Sequence, residues 1–210
     1  MPQFKSFAPG VRVSGRMVLA FIECVSYRSI SPYLSWHGLL GRHGLESVDP
    51  EKWYYLQDWL DVLSDIYEHE DESAAIRDFM SIGRGMVVTL KLHEEVAYHS
   101  PLFEAIHAIT LLFMGLHQGG DAGRITAKII SHGNIQVVAC IPYPDDLLFG
   151  MLTEVAERYD ASRYPVRLNT DASPRDEGGE VTIYDIGRRL PKGEENSSFP
   201  NMVATGDARY

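Results

Sequence analysis

Arg124-Ile-Thr-Ala-Lys-Ile-Ile-Ser131, the turn His132-Gly133-Asn134 and Ile135-Gln-Val-Val-Ala-Cys-Ile141 are the stretch on which the fold turns. Two runs of strand length, rich in β-branched residues and split by a glycine-bearing turn, predict an antiparallel hairpin. Upstream the rhythm differs. Residues 13–118 repeat apolar positions three and four apart, which predicts helix after helix up to the break at Gly119-Gly120. Downstream, Pro144 opens a helix through Glu157, and 166–168 and 181–186 read as strands around the turn-rich 171–179. The fold class is therefore α/β (α+β): an N-terminal helical layer, then β-β-α-β-β with a four-stranded, mainly antiparallel sheet.

Within the helical layer, 16–26 forms the first helix, with Ser14 near its start and Met17, Val18, Phe21, Ile22 and Val25 as an apolar stripe. Ser31-Pro32 opens a second helix that Gly44 ends, and Asp49-Pro50 opens a third, in which Trp53, Leu56, Trp59, Leu60, Leu63 and Ile66 share one face. Ala74 to Ile82 resume a helix that Gly83 and Gly85 are expected to loosen. Ser100-Pro101 starts the last helix before the sheet. Its apolar residues, from Leu102 to Leu116, cover almost the whole circumference, which predicts a helix buried at the centre of the domain.

The 210 residues suit one domain over 1–190 followed by a polar, disordered tail over 191–210. With 29 acidic against 19 basic residues the net charge is −10, a field that repels nucleic acid and anionic lipid, so neither is an expected partner. Cys24 and Cys140 fall inside predicted elements and no signal peptide precedes them, which makes a reducing cytoplasm the expected location. His93-Glu94-Glu95 lacks the spacing of a zinc signature and reads as a solvated loop. Asp145-Asp146 follows Pro144, where carboxylates favour a helix N-terminus, and is read as a helix start.

The order of elements, together with Val13-Ser-Gly-Arg-Met-Val-Leu-Ala-Phe-Ile-Glu23, Asp49-Pro50, Trp53-Tyr54, Trp59-Leu60, His117-Gln-Gly-Gly120, Pro142-Tyr-Pro144 and Gly178-Gly179 with Tyr184, resembles one superfamily. It includes H-NOX haem domains, bacterial 4-vinyl-reductase-type ligand-binding domains and the TRAPP vesicle-tethering subunits, and the likeness is to an uncharacterised bacterial sensory branch of it. The resemblance implies a module that encloses a small-molecule pocket and works through a signalling output. In H-NOX domains the proximal haem histidine sits on the helix before the sheet, and the resemblance places His107, in Phe103-Glu-Ala-Ile-His107, at that station. Their Tyr-x-Ser-x-Arg motif is absent, and the corresponding stretch reads Ala139-Cys-Ile-Pro-Tyr143.

The expected function is a stand-alone small-molecule-binding sensory or regulatory protein, without catalysis of its own, acting through a signalling protein partner and open to homodimer formation. Two alternatives stay open. One is a haem-based gas sensor for NO or O2 with His107 on the iron; the other is a structural adaptor resembling TRAPP subunits. The cofactor is thus either haem or unknown. The expected pocket lies between the helix 101–118, the hairpin and the first helix, lined by His107, Phe103 and Met114, whose spacing aligns them, with Tyr143 and Phe21.

Overall fold

The computed structural model describes residues 3–26, 36–69, 72–92, 101–131, 133–160 and 164–187. The His93 to His99 segment and the tail beyond 187 lie outside the described residues. A long helical layer does precede a four-stranded sheet, as the hairpin stretch requires. Strands β4 (Arg124–Ser131) and β5 (Asn134–Cys140) pair antiparallel, with Ala127 opposite Val137 and a bulge between Ile129 and Ser131. Gly133 takes φ +76° in the turn, a backbone that favours glycine. β7 (Thr182–Ile186) pairs with β5, and β6 (Val166–Leu168) closes the sheet in the order β4-β5-β7-β6, antiparallel throughout.

Alternation decides which side of the sheet faces inward. Ile125 and Ala127 of β4, Val137 and Ala139 of β5, and Thr182, Tyr184 and Ile186 of β7 are all buried. They are covered by helices.

Among the described residues the helices are α1 (Gly15–Ser26), α2 (Trp36–Arg42), α3 (Leu56–His69), α4 (Glu72–Thr89), α5 (Leu102–Gly115) and α6 (Asp145–Asp160). Ser14 accepts the Arg16 N–H at 3.3 Å and starts α1 as its sequence position predicts. Gly44 has φ +69° just beyond α2.

Three expectations need correction. Trp53–Tyr55 is not the first turn of the third helix but a strand, β2, and α3 begins at Leu56. β2 pairs with β1 (Arg12–Ser14), which also pairs with β3 (His117–Gln118), so a second, three-stranded sheet ties the N-terminal segment to the exit of α5. The helix before the hairpin is not buried all round: Leu111 is 53 % and Met114 45 % exposed, so α5 turns one face to solvent. Finally, Gly83 and Gly85 do not loosen α4, which runs unbroken to Thr89. A Cβ on Gly83 would lie 2.0 Å from the Leu147 carbonyl oxygen, and one on Gly150 2.0 Å from that of Met80. The two glycines let α4 and α6 cross backbone to backbone.

Candidate functional site

A small, partly open cavity of about 30 Å³ lies where the crossed helices meet α5 and the end of β5. One water needs only about 10–15 Å³ of such space, so the resting cavity has room for more than one. Met17 of α1, Met86 of α4 and Leu90 just beyond it, Ile109, Leu112 and Phe113 of α5 and Leu116 at its end, Ile125 of β4, Ile141 and Tyr143 after β5, and Leu147, Leu148 and Met151 of α6 line it. Ile109, Leu112, Phe113 and Leu116 follow the three-and-four spacing of one helix face, which is why α5 can present a continuous apolar wall. The chamber contains three thioethers and one hydroxyl.

That hydroxyl is held in a defined state. His117 Nδ1 lies 2.7 Å from the Phe113 carbonyl oxygen and His117 Nε2 lies 2.7 Å from the Tyr143 hydroxyl. A carbonyl only accepts, so Nδ1 carries the proton and donates it; Nε2 is then bare and accepts the Tyr143 O–H. Burial lowers the His117 pKa to about 4, only partly countered by the bond to Phe113, so the ring is neutral at pH 7. Burial raises the Tyr143 pKa well above 10, so the phenol keeps its proton. The Phe113 ring lies 4.3 Å from the imidazole and seals the pair from water.

The short β1–β3 pairing explains why His117 stands there: Val13 is opposite His117, and the Ser14 N–H donates to the Leu116 carbonyl at 2.9 Å. In the sequence His117 stands only within the His117-Gln-Gly-Gly120 junction, with no site role. The available signal was a polar, ring-bearing residue at the exit of an all-apolar helix beside Gly119-Gly120. Tyr143→Phe should leave the buried Nε2 without a partner and cost about 1–3 kcal/mol. Chemical denaturation at pH 7 measures it; an unchanged midpoint would show that the bond contributes nothing.

The other expected site residues lie elsewhere. Phe21 packs edge-on against Trp59 at 5.1 Å and beside Phe79 at 6.1 Å, in the core between α1, α3 and α4. Phe103 and His107 stack at 6.2 Å with rings nearly parallel, and with Met114 they share a face of α5 different from the cavity wall. Their mutual alignment is as the spacing predicts, but only Tyr143 of the five expected residues lines the chamber. Among the described residues, His107 Nδ1 and Thr110 Oγ1 are buried without a hydrogen-bond partner.

Asp145 and Asp146 do begin α6, but Asp145 does more than face a helix dipole. Its Oδ1 accepts the Thr182 hydroxyl at 2.6 Å and its Oδ2 the Asp176 N–H at 3.0 Å, while Asp176 Oδ2 accepts the Asp145 N–H at 2.8 Å. This reciprocal clamp fastens the helix start to the 3₁₀ turn Arg175–Glu177. Beside it, the buried Arg175 donates to the Ile141 carbonyl and lies 4.8 Å over the Phe7 ring. Burial, then the neighbouring Asp145, raises the Asp176 pKa to about 7; the same two causes raise Asp146 to about 6.

Neither a protein-family profile nor a curated relative matches the chain. Solved structures do. An H-NOX protein from S. oneidensis in its Fe(II)NO state superposes with a TM-score of 0.59 at 13% identity, over 84% of this chain and 99% of that one. The fold is that of the H-NOX domains. A second H-NOX structure, in which haem distortion was probed, gives a TM-score of 0.63 at 13% identity over 88% of this chain and 100% of that one. An oxygen-binding H-NOX domain related to soluble guanylate cyclases gives 0.57 at 14% identity, again over 88% and 100%.

The H-NOX fold implies haem, and the residues of this chamber do not fit it. No imidazole lines the cavity, whose donors toward a metal are one protonated phenol and thioethers. The cavity, about 30 Å³, is far too small for a porphyrin, and His107, whose buried Nδ1 has no partner among the described residues, faces another side of α5. Among the described residues the buried Arg175 is committed to the Ile141 carbonyl and the Phe7 ring.

Proposed function

We propose that this chain is a sensory ligand-binding domain that takes a small uncharged molecule into the chamber between α1, α4, α5 and the sheet, and that it signals by binding rather than by catalysis. The observation that carries the reading is the chamber itself, apolar but for one hydroxyl fixed by a buried neutral histidine. The H-NOX fold supports it, since the solved structures that share that fold include an H-NOX protein in its Fe(II)NO state and an oxygen-binding H-NOX domain in its oxygen complex. Both titratable groups at the wall are held neutral and bonded to each other, which suits recognition and supplies no activated nucleophile or base. Residues 1–190 form this one ligand-binding domain, and the output passes to a signalling partner.

The geometry also says which wall moves. α4 and α6 meet backbone to backbone at Gly83 and Gly150 and cannot part without losing that crossing. α5 has an open outer face at Leu111 and Met114, so a ligand that needs more room displaces α5 outward. A ligand shifts the domain only as far as it prefers the displaced state over the resting one.

Xenon tests the chamber without regard to ligand chemistry, because dry apolar cavities take it up. Xenon-129 spectra should show a bound component that Leu148→Phe, which fills the chamber, removes. A single free-xenon resonance in the parent protein would reject the site. Haem titration separates the principal alternative: a Soret band that His107→Ala abolishes would establish the haem sensor, and no absorption change would remove it.

A further inference from the structure

The hydrogen-bond order at the chamber wall points to the class of ligand, an inference that rests on the function just proposed. The Phe113 carbonyl fixes the proton of His117 on Nδ1, so the bare Nε2 takes the only proton of Tyr143. The hydroxyl therefore offers the chamber lone pairs and no hydrogen. Its remaining side is covered by Met17, whose Sδ lies 3.8 Å away and also has no hydrogen to give. The resting site is an unfilled acceptor under a flexible thioether.

We propose that the chamber selects small neutral molecules with an apolar body and one hydrogen-bond donor, such as a short alcohol or a phenol, over isosteric molecules that only accept. A donor ligand turns Met17 aside and adds its O–H to the Tyr143 oxygen while the bond to His117 stays intact. Methionine suits that movement, having three rotatable bonds and no branch, and Met86 and Met151 extend the same adaptable lining. An acceptor-only ligand meets the opposite situation. To be recognised it must take the tyrosine proton from His117, leaving Nε2 buried and unpartnered, or else leave its own oxygen unsatisfied; either outcome costs binding. Charged ligands are excluded because no lining side chain carries charge.

The test is a matched pair, 2-propanol and acetone, titrated into the full chain and followed by methionine-methyl NMR. 2-Propanol is expected to bind at least about tenfold more tightly than acetone. In Tyr143→Phe the ratio should fall to about one. Equal affinities in the parent protein, or tighter acetone binding, would overturn the proposal. So would binding of neither molecule where xenon still enters, an outcome that leaves the chamber itself intact; failure of all three removes the chamber reading as well. Should Tyr143→Phe not fold, the nitrogen-15 shifts of the His117 ring at pH 7 decide independently. A protonated Nδ1 and bare Nε2 are required, and the reverse tautomer would overturn the donor selectivity.

Discussion

Gly150→Val should cost the fold about 4 kcal/mol or more, and Gly83→Ala nearly as much, enough to leave either variant largely unfolded at 37 °C. Alanine normally favours a helix over glycine by about 1 kcal/mol. Here that gain is overwhelmed, since the new Cβ would fall 2.0 Å from a carbonyl oxygen of the facing helix, and backbone cannot swing aside as a side chain can. The helices would have to move apart, opening the core around Leu152 and Phe79, which are 0 % and 1 % exposed. Gly115→Ala is the control, because a Cβ there meets nothing within 4 Å. Circular dichroism melts of the three variants read the difference, and a Gly150→Val protein as stable as the parent would show that α4 and α6 do not cross at these residues.

The second large effect is in the pH dependence of stability, where two buried groups oppose one another. Asp176 has its folded pKa raised to about 7, so its contribution to stability is complete below the unfolded value near 4 and is lost as pH rises through 7. His117 has its folded pKa lowered to about 4, so its contribution is complete above the unfolded value of 6.5 and is lost as pH falls toward 4. Asp146, raised to about 6, joins Asp176 on the falling side, so two contributions fall with pH against the one that rises. The parent should therefore lose stability as pH rises through 6 to 7.

Asp176→Asn removes the larger of the two falling contributions while its amide oxygen still accepts the Asp145 N–H. At about 1.4 kcal/mol per tenfold change in proton affinity the full effect is about 4 kcal/mol, and partial solvent screening of Asp176 brings the expected gain at pH 8 to about 2 kcal/mol. At pH 4 the variant and parent should coincide. The positive end of α6 favours the carboxylates by under about 1 kcal/mol, too little to reverse the sign. Urea midpoints from pH 4 to 8 check this, and a variant destabilised at pH 8 would show that ionised Asp176 supports the clamp.

The hairpin was legible because two strand-length runs rich in β-branched residues flank a glycine-bearing turn, and the helix 145–160 because Pro144 marks its start. The three-stranded sheet was not. Strands of two or three residues are shorter than any period, so Trp53 and Leu56, three apart, fit a helix as well as a strand followed by a helix. What makes Trp53–Tyr55 a strand is Val13 opposite Tyr54, a pairing across 41 residues of sequence that no local pattern encodes.

The pocket shows the same division. Spacing aligned Phe103, His107 and Met114 on one face of α5, and they do share it. A helix apolar on nearly every side has no pattern by which to choose its inward face, and packing against α6 and β4 chose Ile109, Leu112 and Phe113 instead. Tyr143 was readable as an aromatic at a strand end, but its bond to His117 was not, because 26 residues and the whole hairpin separate the two. The clamp between Asp145 and Asp176 is hidden likewise: sequence shows a pair of helix-start carboxylates, and only the return of β7 brings Thr182 and the 3₁₀ turn against them.

The chamber is the claim on which the functional account stands, and methionine-methyl NMR addresses it most directly. Three of the chain's seven methionines, Met17, Met86 and Met151, line the chamber, whereas Met114 sits on the open face of α5. Titration of ¹³C-methyl-methionine-labelled protein with 2-propanol should shift the three chamber resonances saturably and with one common affinity while Met114 follows only the solvent change. Shifts that grow linearly at all methionines alike, with no saturation at Met17, Met86 and Met151, would contradict the account.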